Sequence, residues 1–194
     1  FTVAANRFQG TVYNPPKAKS VDVAVGARVV SNNLIGSLKK NGLNNHTYTT
    51  VKALSEKFNM LDYDFDNILY EGASVPRILV VNMPRDIRNI REPIDRKLVF
   101  FKTILPLVLE TNTHILRNRG RFMRIKAEVL KVGKASAVDR LWLAALFDSY
   151  DVNPDNFSEI LRRVDIIPPS LALAQAAEES GWGTSRFALE GNAL

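Results

Sequence analysis

The sequence predicts a mainly α-helical protein, with helices from about residue 51 to its last residues. Apolar residues recur at helical spacing over long stretches after Glu92, and proline, serine and glycine stand where helices would begin and end. Apolar residues make up 46% of the 194 and charged residues 24%, which is typical of globular domains. No run approaches the ~18 uninterrupted apolar residues of a membrane span, so we expect no transmembrane segment.

The N-terminal quarter carries weaker signals. Residues 1–50 are rich in Asn, Gly, Thr and Lys and predict an irregular arm or linker, in which Val21–Val25 alternates as a short strand does. Thr50 can cap a helix over Val51–Asn59. The apolar run Val75–Pro84 is bracketed by prolines and predicts a short strand or a buried extended segment.

A long helix is predicted next. Pro93 suits its first turn, where a missing N–H costs nothing. Between Ile94 and Val129 apolar residues recur in alternate steps of four and three, so one face of a helix or helix pair should pack inward. We expect Pro106 to kink this segment and Gly133 to end it. The opposite face carries basic residues: Arg91, Arg96, Lys97, Lys102, Arg117, Arg121 and Arg124.

Three shorter helices are expected to follow. Ser136 and Asp139 have the spacing of a capping box before an amphipathic stretch. The segment 153–155, Asn-Pro-Asp, predicts the start of a short helix that reaches about Arg163. Pro169 can begin the final helix. The sequence contains no internal repeat.

The final helix is rich in alanine and nearly without polar residues. Its segment Leu171–Ala177 is interrupted only by Gln175, so we expect burial on nearly all sides. Glu179 lies four residues after Gln175, hence on the same face, with Glu178 beside it. Gly181 is well placed for the left-handed residue beyond the helix end.

Carboxylates in this position have a chemical consequence. The C-terminal end of a helix carries partial negative charge, and burial beside Leu, Ala and Trp disfavours ionisation again, so both effects raise a carboxyl pKa. A carboxylic acid that stays protonated near neutral pH can donate its proton to a leaving oxygen, as glycosidic cleavage requires. Spacing leaves Glu178 and Glu179 both open, although Gln175 slightly favours Glu179.

Charge and composition narrow the function classes. The net charge of +6 favours binding to polyanions such as nucleic acid, anionic lipid headgroups or an acidic cell wall. The absence of cysteine excludes disulfides, thiol catalysis and thiolate metal sites. The only histidines, His46 and His114, lie far apart without a metal-binding motif, so we expect no metal and no cofactor. His114 is expected to be a structural histidine of the long helix.

The last residues resemble a known family. The segment PPSLALAQAAEESGWGTSRFALEGNAL resembles the opening of the bacterial peptidoglycan N-acetylglucosaminidase domain, a lysozyme-like family with the signature P-x-S-x-x-x-A-Q-x-x-x-E-S-G-W-G-x-S. Upstream, VPRILVVNMP and DRKLVFFKTILPLVLETNTHILRNRGRF resemble the N-terminal part of its Bax-type branch, a looser likeness between Tyr63 and Arg163. This resemblance implies a glycoside hydrolase that cleaves the β-1,4 bond after N-acetylglucosamine.

The resemblance also implies roles for single residues. Glu179, the glutamate of E-S-G-W-G, would be the general acid, whereas Glu178 would be variable surface. Gln175, Trp182, Ser185 and Asn192 would contact the glycan, and Ser180 and Gly181 would brace the loop beyond the helix. Ala193 replaces the second Asn of the family's N-N-L-F-G segment.

The domain organisation expected from the resemblance has three parts. Residues 1–50 would be the arm, 51–163 a helical N-terminal region, and 164–194 the first part of a lysozyme-like α+β catalytic domain. We expect the second catalytic group to lie beyond Leu194 and the 194 residues alone to be weakly active or inactive. Peptidoglycan strands would be the substrate, and the location would be periplasmic or otherwise extracytoplasmic after removal of a signal segment.

Two alternatives come from other classes. The helical region could be a non-catalytic wall-binding or scaffolding module in which the glutamate is structural. The basic stripe could track the phosphates of nucleic acid, although such stripes are more often solvated faces, and no nucleic acid is expected as a partner. The sequence makes no prediction of oligomeric state, or of retaining against inverting chemistry.

Overall fold

In the computed structural model of this protein, residues 45–191 are described, and they are mainly helical, which confirms the predicted fold class. The predicted strand Val21–Val25 and Asn192 lie outside these residues. The elements in chain order are β1 (Asn45–His46), α1 (Val51–Met60), α2 (Phe65–Tyr70), β2 (Leu79–Val80), a 3₁₀ helix (Arg85–Asn89), α3 (Pro93–Val132), α4 (Ala137–Ser149), α5 (Phe157–Arg163), α6 (Pro169–Ser180) and α7 (Arg186–Glu190).

The predicted cap and extended segment at the start of the described chain are confirmed. The Thr50 hydroxyl accepts a hydrogen bond from the Ala53 N–H at 3.2 Å and begins α1. The apolar run contributes the two residues of β2, which pair in parallel with β1. An apolar cluster joins α1, the loop after it and the apolar run: Leu54, Phe58, Tyr63, Ile78 and Val80.

Helix α3 is the central element. Its 40 residues span ~60 Å at the α-helical rise. It begins at Pro93, as predicted, continues through Pro106 without ending there, and stops at Gly133, whose φ of +82° gives the predicted left-handed cap. None of the described helices, α3 included, is both long and apolar enough to cross a bilayer.

The buried face of α3 differs from the predicted one in its first turns. Ile94 and Leu98, expected to be inside, are 70% and 37% exposed, whereas Phe100 and Ile104 are buried. The reason is that this half of α3 has neighbours on more than one side, with α1 and β2 in contact and α6 packed along it. A prediction that assumes one buried face per helix therefore fails for this half of α3.

The C-terminal half of α3 packs against α4 and α5. Their common cluster contains Phe122, Leu146, Phe147, Val152, Ile160 and Val164. The predicted Ser136 cap is confirmed, because its hydroxyl accepts from the Asp139 N–H at 3.1 Å. The predicted start of α5 was a few residues too early. Asn153 accepts from the Asp155 N–H at 3.0 Å and forms a turn, and Asn156 caps the helix instead.

The basic residues of α3 do not form one uniform solvated stripe. The Lys97 ammonium lies 4.8 Å from the Trp182 ring centroid, and Lys102 lies 5.7 Å from that of Tyr63. The Arg121 guanidinium lies 4.4 Å from the Trp142 ring. Because these cations pack on aromatic faces of their own chain, part of the stripe contributes to internal packing.

The Asp139 carboxylate links α3 to the start of α4. It accepts from the Arg121 guanidinium at 2.9 Å and from the Ser136 hydroxyl at 2.8 Å. The bond from Arg121, followed by that from Ser136, holds the pKa of Asp139 below its usual value of 3.8. A carboxylate with a lowered folded-state pKa stabilises the fold above the unfolded value, and that stability is lost as the pH falls.

We therefore predict that Asp139→Asn lowers the free energy of unfolding at pH 7 and that the difference from wild type shrinks as the pH falls below 3.8. Urea denaturation at a series of pH values measures this. Asp155→Asn is the matched control, since the Asp155 carboxylate makes no hydrogen bond within residues 45–191. Parallel pH curves for wild type and Asp139→Asn would contradict the assignment.

Candidate active site

Helix α6 packs against α3 through one face only. Leu173, Ala177 and Ser180 are buried there, and the first two join Phe100 and Ile104 in a single cluster. The opposite face is exposed: Leu171, Ala174, Gln175, Glu178 and Glu179. The prediction of burial on nearly all sides is therefore wrong. Alanine favours helices whether exposed or buried, so an alanine-rich segment without a polar face does not establish burial.

The two candidate acids are both exposed. Glu179 lies one turn after Gln175 on the open face of α6. Neither the Glu178 nor the Glu179 carboxylate makes a hydrogen bond or an ion pair within residues 45–191. The burial beside Leu, Ala and Trp, on which the argument for a protonated acid partly rested, is absent. Glu179 does lie in the last turn of its helix, where the sequence placed it.

Ser180 connects the end of α6 to the loop that follows. Only 2% of it is exposed, and its hydroxyl donates to the Ala176 carbonyl at 2.5 Å. The same oxygen accepts from the Gly183 N–H at 2.9 Å. The Ser180 carbonyl accepts from the Ser185 N–H at 2.9 Å. The chain after Glu179 is therefore held by three hydrogen bonds to one residue.

Three consecutive residues of this loop have left-handed backbone conformations. Gly181, Trp182 and Gly183 have φ angles of +57°, +59° and +74°. The left-handed Gly181 was predicted; the left-handed Trp182 was not. For a tryptophan this conformation costs about 1–3 kcal/mol, so the surrounding structure must stabilise it.

Aromatic packing supplies that stabilisation. The Trp182 ring meets Phe100 and Phe101 of α3 edge to face, with centroids 5.8 and 5.4 Å apart. The Lys97 ammonium lies over the ring, 4.8 Å from its centroid, and the backbone N–H of Trp182 donates to the Ala177 carbonyl at 2.9 Å. The half-buried indole is therefore fixed between the end of α6 and the N-terminal part of α3.

Gly183 lies unusually close to its neighbours, so any side chain at this position would push against them. A Cβ at this position would lie 3.1 Å from Met83 Cε and 3.3 Å from Phe100 Cδ2. Beyond it, the Ser185 hydroxyl accepts from the Ala188 N–H at 3.1 Å and begins α7. The loop is also tied to the 3₁₀ helix, because Arg88 Nε donates to the Thr184 carbonyl at 2.8 Å.

The structure brings most of the predicted site residues to one end of α6. Gln175 and Glu179 share its open face, Ser180 and Gly181 shape the turn, and Trp182 lies against α3. Ser185 caps the next helix, while Asn192 lies outside the described residues. Among residues 45–191 we identify no second carboxylate paired with Glu179.

A cavity of about 300 Å³ lies away from these residues. It is lined by Val75, Pro76, Arg77, Pro106, Leu109, Glu110, Thr113 and Arg117, none of which belongs to α6 or its loop. Glu110, with a side chain only 7% exposed, accepts two hydrogen bonds from Arg77 Nη2 at 2.8 and 2.9 Å. The half-buried His114 imidazole lies 3.9 Å from this carboxylate.

The sequence analysis missed this ion pair. Its signal was a single arginine inside the apolar run VPRILVV and a glutamate within the apolar part of the long helix. Charged residues in such surroundings usually need a partner. The Arg77–Glu110 pair joins the extended segment to α3, so its role is structural. We do not assign the cavity to the candidate site, because no residue of that site lines it.

Comparison with known proteins gives one informative relative. The chain is 31% identical over 115 residues to Protein bax of Escherichia coli (strain K12), a match that covers 56% of this chain and 40% of the relative. The chain therefore spans well under half of that relative's length. No protein-family model and no solved structure matches. The match supports a Bax-like relationship, and the relative's name states no activity.

The close approach at Gly183 generates a stability prediction. Gly183→Ala should lower the free energy of unfolding by about 2–5 kcal/mol, since it adds left-handed strain to overpacking against Met83 and Phe100. Gly181→Ala is the control: its φ is also positive, but the nearest atom to its Cβ would be 3.5 Å away. That variant should lose only about 1–2 kcal/mol. Equal losses in chemical denaturation would contradict the packing argument.

Proposed function

We propose that the protein is a peptidoglycan hydrolase of the endo-β-N-acetylglucosaminidase type, with Glu179 as its general acid. The observation that carries the proposal is the strained, firmly packed turn directly after Glu179. A left-handed tryptophan persists only where its surroundings over-determine it, and such strain concentrates at functional sites. The Bax-like similarity and the E-S-G-W-G-x-S motif support the same conclusion.

The chemistry proposed for Glu179 is one proton transfer. Its protonated carboxyl donates to the glycosidic oxygen while the bond from that oxygen to the anomeric carbon breaks, so the leaving sugar departs as an alcohol. The positive charge that develops on the remaining ring is quenched by water or by an enzyme carboxylate. The separation between Glu179 and that second group decides between inversion and retention.

The neighbouring side chains suit a glycan. Gln175 offers an amide donor and acceptor on the same open face as Glu179, which can bond sugar hydroxyl or N-acetyl groups. The Trp182 indole provides an aromatic wall fixed by Phe100 and Phe101. In this proposal Ser185 and Asn192 complete the binding residues, while Ser180 and Gly181 hold the loop.

The overall charge agrees with a role at the cell wall. A protein with a net charge of +6 is attracted to an acidic polymer, and this attraction raises the local concentration of substrate. The proposal therefore places the protein outside the bacterial cytoplasm, in the periplasm or beyond.

A second candidate is a wall-binding or scaffolding module without catalysis. The observation that favours it is the exposure of Glu179, whose carboxylate has no hydrogen-bond partner within residues 45–191. General acids are usually tuned by burial or by a neighbouring charge. In this alternative Gln175, Glu179 and Trp182 bind glycan, and no bond is broken.

Glu179→Gln separates the two candidates. The complete product of the gene is incubated with purified peptidoglycan, and new reducing ends are identified. We predict N-acetylglucosamine at these ends and a loss of at least about 100-fold in rate for Glu179→Gln, within the range for general-acid catalysis. Glu178→Gln is the matched control and should retain the wild-type rate.

Three results would decide against the assignment. Equal loss in both variants would show that general damage to α6 caused it. Undiminished activity of Glu179→Gln would remove Glu179 as the acid. Peptidoglycan binding by the wild type with no new reducing ends would favour the binding module.

A further inference from the structure

The C-terminal half of α3 displays an apolar seam that the described fold leaves uncovered. Leu116, Met123 and Leu130 follow one another at intervals of seven residues and are 51%, 48% and 80% exposed. Between them lie Gly120 and Ala127, both exposed. These five positions alternate steps of four and three, which is the spacing of a helix that packs against another helix. We call this set the α3 seam.

The α3 seam lies opposite the side of α3 that the fold buries. Phe122 and Ile125 are the buried residues of this half of the helix, and Phe122 packs with α4 and α5. At 100° per residue, they point away from Leu116 and Met123. The seam is therefore a second apolar face, additional to the one that folding requires.

Gly120 has no explanation within the described fold. A glycine inside a helix lowers its stability relative to alanine. A Cβ at Gly120 would meet no atom within 4 Å, and its φ is not in the left-handed region. Neither backbone geometry nor internal packing requires this glycine. A partner that approaches α3 closely at this point would require it.

The charges beside the seam have one dominant sign. Between Leu116 and Val132 there are six basic residues and one acidic residue, Glu128. Arg117, Arg124 and Lys131 repeat the seven-residue interval of the seam, one position later, and are exposed. None of these three forms an ion pair in the part of the chain that the structure describes. The seam is thus an apolar row along a positively charged flank.

This charge pattern disfavours a second copy of the chain, or residues 1–44, as the occupant. A second copy would bring the same cations against each other across the seam, which destabilises helix pairing. Residues 1–44 contain six basic residues and one acidic residue, so they offer no complementary charge either. The occupant is therefore anionic, and it is neither a second copy of this chain nor residues 1–44.

We propose that the α3 seam binds an amphipathic helix of another protein, with large apolar residues facing Gly120 and Ala127 and acidic residues facing Arg117, Arg124 and Lys131. A bilayer suits the seam less well, because interfacial helices insert broad, often aromatic faces, whereas this seam has three large apolar residues and a gap at Gly120. Nucleic acid would bind the basic residues but would leave the apolar Leu130 exposed to solvent, so it also suits the seam less well.

The test uses two synthetic probes of 21 residues each. Both carry leucine at the core positions of three heptads; one has glutamate and the other lysine at the flanking positions. Like charges on both flanks keep each probe from pairing with itself. Fluorescence anisotropy then measures binding to the 194-residue protein. We expect the acidic probe to bind at least about tenfold more tightly than the basic one and to weaken as salt rises.

Variants assign the binding to the seam. Met123→Glu and Gly120→Leu should each weaken binding of the acidic probe at least about tenfold, the first by repulsion and the second by filling the gap. Met60→Glu is the control, because Met60 is 79% exposed at the end of α1 and should not matter. Gly120→Ala should raise the melting temperature of the isolated protein, yet weaken probe binding.

Several outcomes would overturn the proposal. One is an acidic probe that binds no better than the basic probe. Another is tighter binding to phosphatidylglycerol vesicles or to a 20-base-pair DNA duplex than to the acidic probe. Equal losses of acidic-probe binding in Met123→Glu and Met60→Glu would also overturn the proposal. Circular dichroism of each variant shows that its helices are intact.

Discussion

The close contact between Gly183 and α3 is the constraint on which the candidate site depends. Met83 and Phe100 lie so near the Gly183 backbone that a side chain there would have to displace them. This contact joins a loop near the end of the chain to the helix at its centre. It also fixes Trp182, whose left-handed backbone would be unfavourable without the aromatic packing on its far side.

The site that results combines a rigid part with an open part. The turn after α6 is held by hydrogen bonds through the buried Ser180, while Gln175 and Glu179 project from the exposed face of the last turns of α6. Fixed residues next to an accessible acid give a surface that can receive an extended polymer. The two halves of α3 have different roles, since its N-terminal half supports the turn and its C-terminal half carries the separate seam.

Local chemistry was predictable from the sequence, and long-range packing was not. The Ser136 cap and the left-handed Gly181 depend on hydrogen bonds and steric limits within a few residues. The local sequence is therefore enough to predict them. Burial depends on neighbours distant in sequence, which is why Ile94 and Glu179 proved more exposed than expected. The contact of Gly183 with Met83 spans a hundred positions, and no local pattern indicates it.

Amide hydrogen exchange at Trp182, Gly183 and Ser185 tests the central claim most directly. Their N–H groups donate to Ala177, to the Ser180 hydroxyl and to the Ser180 carbonyl, each at 2.9 Å. If the turn is a rigid support for the acid, these amides should exchange as slowly as those in the buried middle of α3. Exchange at the rate of an exposed loop would show that the turn opens freely, and would contradict the account of how the site is held.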